Sequence, residues 1–322
     1  MKIYASLGEL PVGDRRRAVA IGTFDGVHLG HRAIIATARE LGEARGIPTM
    51  VITFQPHPIS VLRPDIKTTV LTPLETKIGL IADSEADELL ILPFTQAFSR
   101  IRADRFVDMI SSPPLGAEVV VVGENFRFGS GGSGTADGMR AYGRSRGIDV
   151  VTPAIITTAD GKPISSTRIR RYISEGRIED VAALLGRPHV IDGIVVPGDQ
   201  RGRTLGLPTA NVAVPAETAV PGRGVYAGIA FTPSGATRAA INIGLAPTFR
   251  GDNPQNGLRI EAFLLDYNGD DLYGQSLRLE FITKLRDEQR FDGPDALVAQ
   301  IHDDIARTRE LVTLPGTKPT AA

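Results

Sequence analysis

The apolar positions of this chain follow two rhythms. From Arg17 to about Val151, short β-branched runs alternate with amphipathic stretches. Ala18 to Gly22, Thr49 to Phe54, Glu88 to Leu92, Glu118 to Gly123 and Asp149 to Val151 predict strands. Between the first two, Ile34, Ile35, Ala38 and Leu41 recur at helical spacing, and Gly46 followed by Pro48 predicts where that helix stops. Such alternation predicts a doubly wound parallel sheet. Beyond Leu185 the crossover helices vanish and turns rich in Gly and Pro separate Val190 to Val196, Val225 to Phe231, Ala239 to Ile243, Arg259 to Tyr267 and Leu277 to Leu285. That pattern predicts a small antiparallel β-barrel or sandwich. A final helix carries Leu297, Ile301, Ile305 and Leu311 near one face, and a tail from Thr313 is expected to fray. The expected division is 1–185, 186–312 and a tail 313–322.

A length of 322 residues suits two domains. Lys and Arg number 36 against 37 Asp and Glu, so the net charge of −1 argues against bulk attraction to nucleic acid or anionic lipid. Cysteine is absent, which excludes disulfides, thiolate metal sites and cysteine nucleophiles. With no secretory h-region and no apolar run of the ~20 residues that span a bilayer, a cytoplasmic protein without membrane partners is expected. Small molecules are the expected partners, with room for a weak homo-oligomer and no oligomeric state read from the sequence.

The densest chemistry lies in Gly22-Thr-Phe24-Asp25-Gly26-Val-His28-Leu-Gly30-His31, between a predicted strand and the helix starting near Gly30. Two imidazoles in an opening helical turn face the same side, where backbone N–H groups already favour phosphate. They can donate to phosphoryl oxygens as charge builds, and Gly22 and Gly30 let the backbone approach a nucleotide. The plain alternative is two surface histidines in a tight turn.

Ser166 and Thr167 open a helix running through Arg168, Ile169 and Tyr172, and Arg170 lies one turn on, a grouping that suits pyrophosphate. Taken alone, it is also an ordinary N-cap before a solvated basic face. His57, between Pro56 and Pro58, and Asn125 each follow a predicted strand end, where open α/β sheets bind ligands. His57 can equally stiffen its loop, and Asn125 can equally serve a turn. Gly129-Ser-Gly131-Gly-Ser-Gly134 fits Gly-x-Gly-x-x-Gly, but Glu124 through Phe128 separate it from its strand, so a flexible loop is expected instead of a dinucleotide fingerprint.

In the second half, Gly198-Asp-Gln-Arg201-Gly202-Arg203-Thr-Leu-Gly206-Leu-Pro208-Thr209-Ala-Asn211 joins a glycine-rich turn to a hydroxyl and an amide two residues apart. The turn can cradle phosphate, and the oxygens of Thr209 and Asn211 suit Mg²⁺. A plain turn leading into a strand is the alternative. No Gly-x-x-x-x-Gly-Lys-Ser/Thr occurs, so a P-loop is excluded. Glu261 shares a strand face with Arg259 and Phe263, as a base or as a paired surface carboxylate. Glu280 is its rival.

The histidine segment resembles the His-x-Gly-His signature of Rossmann-like nucleotidyltransferases, in the longer form found in bacterial bifunctional FAD synthetases. Phe54-Gln-Pro-His57-Pro58, Gly123-Glu-Asn125-Phe-Arg127-Phe-Gly129 and Ile164-Ser-Ser166-Thr167-Arg-Ile-Arg170 resemble that family in order, and the resemblance runs from about Ala18 to Val312. It implies FMN adenylyltransferase in the first domain and riboflavin kinase in the second. ATP would be the co-substrate, Mg²⁺ the metal, and riboflavin, FMN and FAD the substrates and products. It further implies catalysis by His28, His31, Ser166, Thr167 and Arg170, and nucleotide contacts from Gly22, Phe24, Asp25 and Gly30. In the barrel, Gly198, Arg201, Gly202 and Gly206 would hold phosphates, Thr209 and Asn211 the metal, and Glu261 would be the base, with Glu280 given no role. Flavin would meet His57 and Asn125 in one site and Arg286, Arg290 and Phe291 in the other. One silent module acting as a flavin sensor, or a non-catalytic flavin carrier, are the rival readings.

Overall fold

A computed structural model describes residues 1–13, 15–198, 209–245 and 257–315. By packing, the chain divides into two compact units, Met1–Ser166 and Thr167–Ala322.

The strands of the first unit are β1 (Lys2–Tyr4), β2 (Arg17–Ile21), β3 (Thr49–Gln55), β4 (Glu88–Pro93), β5 (Ala117–Val121), the short pair β6 (Arg127–Phe128) and β7 (Gly134–Thr135), and β8 (Asp149–Val151). Its helices are α1 (Leu29–Arg45), α2 (Pro58–Leu62), α3 (Leu74–Ala82), α4 (Gln96–Ser99), α5 (Ala103–Ser111) and α6 (Ala136–Arg144). A parallel sheet forms in the order β1-β4-β3-β2-β5-β8. β2 is buried along its whole length, which explains its unbroken apolar run. α1 buries Ile35, Ala38 and Gly42 on one stripe and ends where Gly46, at φ 64°, turns left-handed as the sequence predicts. At the buried start of β2, Arg17 Nε donates to Glu88 at 2.5 Å and Nη1 to the Pro114 and Leu115 carbonyls. Chain order reverses between β2 and β5, and open α/β sheets bind ligands at the carboxyl ends of the strands at such a point.

The glycine-rich segment differs from the flexible loop expected. β6 and β7 pair as a ribbon, Gly129 at φ 73° packs against Ala103, and Gly134 lies on the Phe128 ring. The glycines there permit close packing, and no strand-to-helix phosphate turn forms.

In the second unit, α7 (Ser166–Ser174, opening at the boundary residue) and α8 (Ile178–Leu185) precede the barrel strands β9 (His189–Val196), β10 (Thr209–Ala213), β11 (Gly224–Thr232), β12 (Gly235–Leu245), β13 (Leu258–Leu264) and β14 (Ser276–Arg286). These close in the order β10-β13-β12-β11-β14-β9, and α9 (Pro294–Leu311) follows. Val195, Val212, Ile241, Ile260, Ala262 and Phe281 fill the interior. One expectation at the end is corrected. Leu311 is exposed, while Val312 is buried with its carbonyl accepting from Arg238 Nε at 2.7 Å and Leu314 lies against the barrel. Residues 316–322 of the expected tail lie outside the described residues.

Ile178 of α8 is fully buried in the barrel core although it precedes Gly186. Removing it compares with a large-to-small core truncation, worth about 2–5 kcal/mol. A fragment beginning at Thr167 is therefore expected to melt on the order of 10 °C above one beginning at Gly186. Equal melting temperatures by circular dichroism would contradict this.

His189 is buried, with its Nε2 donating to the Ala219 carbonyl at 2.8 Å, and burial together with nearby Arg187 pushes its pKa from 6.5 down to about 4. The folded state thus holds the neutral ring, and stability is complete above pH 6.5 and falls as the pH drops toward 4. From pH 7 to pH 5 the loss is about 2 kcal/mol. Denaturant melts of the Thr167 fragment should show it, and a His189→Gln fragment should show a correspondingly flatter pH dependence.

Candidate active sites

The turn after β2 is backbone-strained. Phe24 and Val27, neither a glycine, sit at φ 46° and 38°, with Gly26 between them at φ 90°. Each such residue costs roughly 1–3 kcal/mol and persists only where its surroundings over-determine it. Those surroundings are present. The buried Asp25 carboxylate accepts from Leu71 N at 3.0 Å and Thr72 N at 3.2 Å. The Asp25 carbonyl accepts from Ser166 Oγ at 2.9 Å, and the Thr23 carbonyl from Thr53 Oγ1 at 3.0 Å and Lys77 Nζ at 3.2 Å.

This turn delivers His28 to the N-cap of α1, where its Nδ1 accepts from His31 N at 3.2 Å, which places its proton on Nε2. The His28 and His31 rings stack with centroids 3.6 Å apart, so the two imidazoles do share one side. Phe24 meets His31 edge-on at 5.3 Å. Burial, then His28, then Lys77 hold the His31 pKa well below 6.5, so His31 is neutral at pH 7. Its Nδ1 is buried with no hydrogen-bond partner.

The glycines have packing duties here. A Cβ on Gly22 would come within 3.2 Å of the Phe24 ring, and one on Gly30 within 3.2 Å of the His28 ring. Phe24 and Asp25, expected as nucleotide contacts, are wholly buried. Their side chains support the turn, Phe24 against the His31 ring and Asp25 through the Leu71 and Thr72 backbone donors. Ser166 is tied to the same turn, while Thr167, exposed, and Arg170, half-buried, belong to the second unit. His57 caps α2, its Nδ1 accepting from Ile59 N at 3.3 Å, and Asn125 is exposed in the turn after β5.

On the barrel, Ile260 and Ala262 point inward, so Glu261 lies on the outer face, half-buried, and does not enter the barrel mouth. Strand register sets it between Asn211 of β10 and Asn242 of β12. Glu261 Oε1 pairs with Arg259 Nη2 at 3.0 Å, Oε2 accepts from Asn242 Nδ2 at 3.4 Å, and Arg259 Nε donates to Asn211 Oδ1 at 3.0 Å. Thr209 shares the outer face with Asn211, and Gly198 leaves room for the Asn211 amide. Arg201, Gly202 and Gly206 lie outside the described residues. Glu280, on β14, stands across the six-strand ring, its pKa raised by burial against the pull of Arg278.

Of the residues expected to border flavin in the second domain, Arg286 holds a partner on α9. Arg286 forms a bidentate pair with the buried Asp304 of α9, at 3.0 and 2.8 Å, and its guanidinium stands 5.7 Å from the Phe291 ring centre. Arg286 is thus a fastener of α9, Arg290 is exposed, and Phe291 is half-buried beneath the pair.

Residues 11–168 match the FAD synthetase family and residues 185–312 the riboflavin kinase family. A bifunctional riboflavin kinase/FMN adenylyltransferase of Listeria monocytogenes is 38% identical over 92% of this chain and 92% of its own length. The chain belongs to that bifunctional family. Family members of the same description from Bacillus subtilis, 36% identical over 90% of each chain, and Escherichia coli, 35% identical over 99% of this chain and all of that one, agree. A solved Streptococcus pneumoniae structure described as a macrolide-efflux protein superposes with a TM-score of 0.83 at 29% identity, covering 95% of this chain and 98% of that one. Among the described residues no helix is long and apolar enough to cross a membrane. The FAD synthetase match includes His28, His31, His57, Asn125, Ser166 and Thr167 and ends before Arg170, whereas the riboflavin kinase match spans Gly198 to Phe291.

Two polar residues at these family sites escape a reading of the sequence alone. Lys77 lies buried under the histidine turn, and its signal is a lone cation in Leu74-Glu-Thr-Lys77-Ile-Gly-Leu-Ile81. Asn242 interrupts the apolar run Ala239-Ala-Ile-Asn242-Ile243 and so reaches Glu261.

Proposed function

We infer that this chain makes FAD from riboflavin in two ATP-dependent steps, phosphorylating riboflavin to FMN on the barrel and transferring AMP from ATP to FMN on the α/β unit. The observation that carries the reading is that both family matches fall on one chain, each over its own polar cluster. The proposed functional boundary stays near Leu185 and Gly186, supported by the start of the riboflavin kinase match, whereas α7 and α8 pack with the barrel.

In adenylyl transfer, an FMN phosphate oxygen attacks the α-phosphorus of ATP while the bond to the β-phosphate oxygen breaks and pyrophosphate leaves. The stacked imidazoles of His28 and His31 at a helix N-terminus supply N–H donors where that charge develops. Ser166, Thr167 and Arg170 serve the leaving pyrophosphate, with His57 and Asn125 beside the flavin. In phosphorylation, the ribityl hydroxyl attacks the γ-phosphorus, its proton passes to Glu261, and ADP leaves. Arg259 and Asn242 hold the carboxylate in one orientation for that transfer.

The hydroxyl of Thr209 and the amide oxygen of Asn211, two residues apart on the outer face of β10, are hard oxygen donors of the kind Mg²⁺ takes, Asn211 by giving up its bond from Arg259. Thr209 and Asn211 would hold it, and the bound ion would neutralise phosphate charge.

Supplying FMN and ATP should release one pyrophosphate for each FAD formed, and supplying riboflavin and ATP should yield FMN and ADP. Flavin binding without release of either product would show a carrier instead.

A further inference from the structure

We propose that Lys77 is a positioning residue for adenylyl transfer: its buried ammonium, donated to the Thr23 carbonyl, clamps the left-handed turn that presents His28 and His31. The proposal rests on the assignment of those histidines to the reacting phosphates.

The side chain of Lys77 reaches from α3 into the base of the turn and is 4% exposed. Its Nζ donates to Thr23 O at 3.2 Å, the carbonyl immediately before Phe24, where the backbone turns to φ 46°. Burying an ammonium is costly, and a leucine or methionine at this place on an apolar helix face would pack without that cost. A lysine therefore calls for a duty beyond packing. The other fasteners of the turn are the two backbone donors to Asp25, the Thr53 hydroxyl and the Ser166 hydroxyl. Lys77 is the one among these five donors that brings a charge.

That charge has a second consequence. The charged and titratable groups that act on His31 are His28, stacked on it, and Lys77 from α3, and the Asp25 carboxylate, held by Leu71 and Thr72, acts in turn on Lys77. His28 and Lys77 both oppose protonation of His31, so Lys77 helps keep that ring neutral while the turn fixes its position. Displacement of a catalytic group by about 1 Å costs on the order of 10²-fold in rate.

The test compares Lys77→Met, which removes donor and charge, with Lys77→Gln, which keeps an N–H donor, and Lys77→Arg, which keeps both. In the full chain, riboflavin phosphorylation reports folding of the second unit and circular dichroism that of the first. For FMN adenylylation, kcat is expected to fall about 10²-fold in Lys77→Met with the KM for FMN within about threefold. Lys77→Arg should recover most of the loss. In Lys77→Gln the acid limb of the kcat profile should move to higher pH, because His31 loses a cation that opposed its protonation.

Should Lys77→Met fail to fold, the Gln and Arg variants decide. A folded Lys77→Gln with wild-type kcat and an unmoved acid limb overturns the proposal. His31→Ala measured alongside separates the two failures: full adenylylation in that variant would refute the histidine assignment whatever the lysine variants do.

Discussion

Alanine in place of His31 is expected to lower FAD formation from FMN by about 10²-fold or more while riboflavin phosphorylation continues, since a donor aimed at developing charge is worth about that much. His28 requires a more careful substitution. Its Nδ1 caps α1 by accepting from His31 N, so His28→Ala removes a cap worth about 1 kcal/mol as well as a donor. Asparagine is a good N-cap and can accept the same bond but offers no Nε2–H. His28→Asn should therefore melt like the wild type and still lose adenylyl transfer by about 10²-fold. If His28→Asn keeps full FAD synthesis while His28→Ala does not, the imidazole matters only as a cap and the assignment fails.

The second large effect concerns Glu261. Glutamine preserves its size and can keep the Arg259 contact through its amide oxygen, with Asn242 turning its own amide to accept from the new NH2, but it cannot take the proton of the ribityl hydroxyl. General base catalysis is worth about 10² to 10⁴, so riboflavin phosphorylation in Glu261→Gln should drop by that factor with flavin binding retained. Given FMN directly, the same variant should make FAD at a near-normal rate. Glu280→Gln, altered across the ring from this cluster, should phosphorylate riboflavin normally. A severe loss in Glu280→Gln beside a normal Glu261→Gln would show that the wrong carboxylate was chosen.

Where burial is two-sided or strictly alternating, the sequence was enough. β2, β3 and β4 read as apolar runs, and five of the six barrel strands fell within a few residues of their observed ends, whereas β10 carried no predicted range of its own beside the glycine-rich turn. β1 was missed because an edge strand with exposed Lys2 and Ile3 has little pattern to read. The site was legible where chemistry is local: His28, Gly30 and His31 are neighbours in one helical turn. It was illegible where partners come from afar. Nothing in the sequence ties Asp25 to Leu71 and Thr72, Lys77 to Thr23, or Arg286 to Asp304, because each pair meets only through tertiary packing. Hence the part Phe24 and Asp25 play in supporting the turn could not be read from the sequence. The apolar stripe of α9 misled in the same way at Leu311, because the chain turns there and Val312 takes the buried place.

One chain carries both activities, and a single chromatographic time course of purified protein with riboflavin, ATP and Mg²⁺ tests this most directly. FMN should rise first and then decline as FAD accumulates with release of pyrophosphate. FMN that accumulates without ever becoming FAD, or riboflavin that stays unchanged while added FMN is adenylylated, would contradict it.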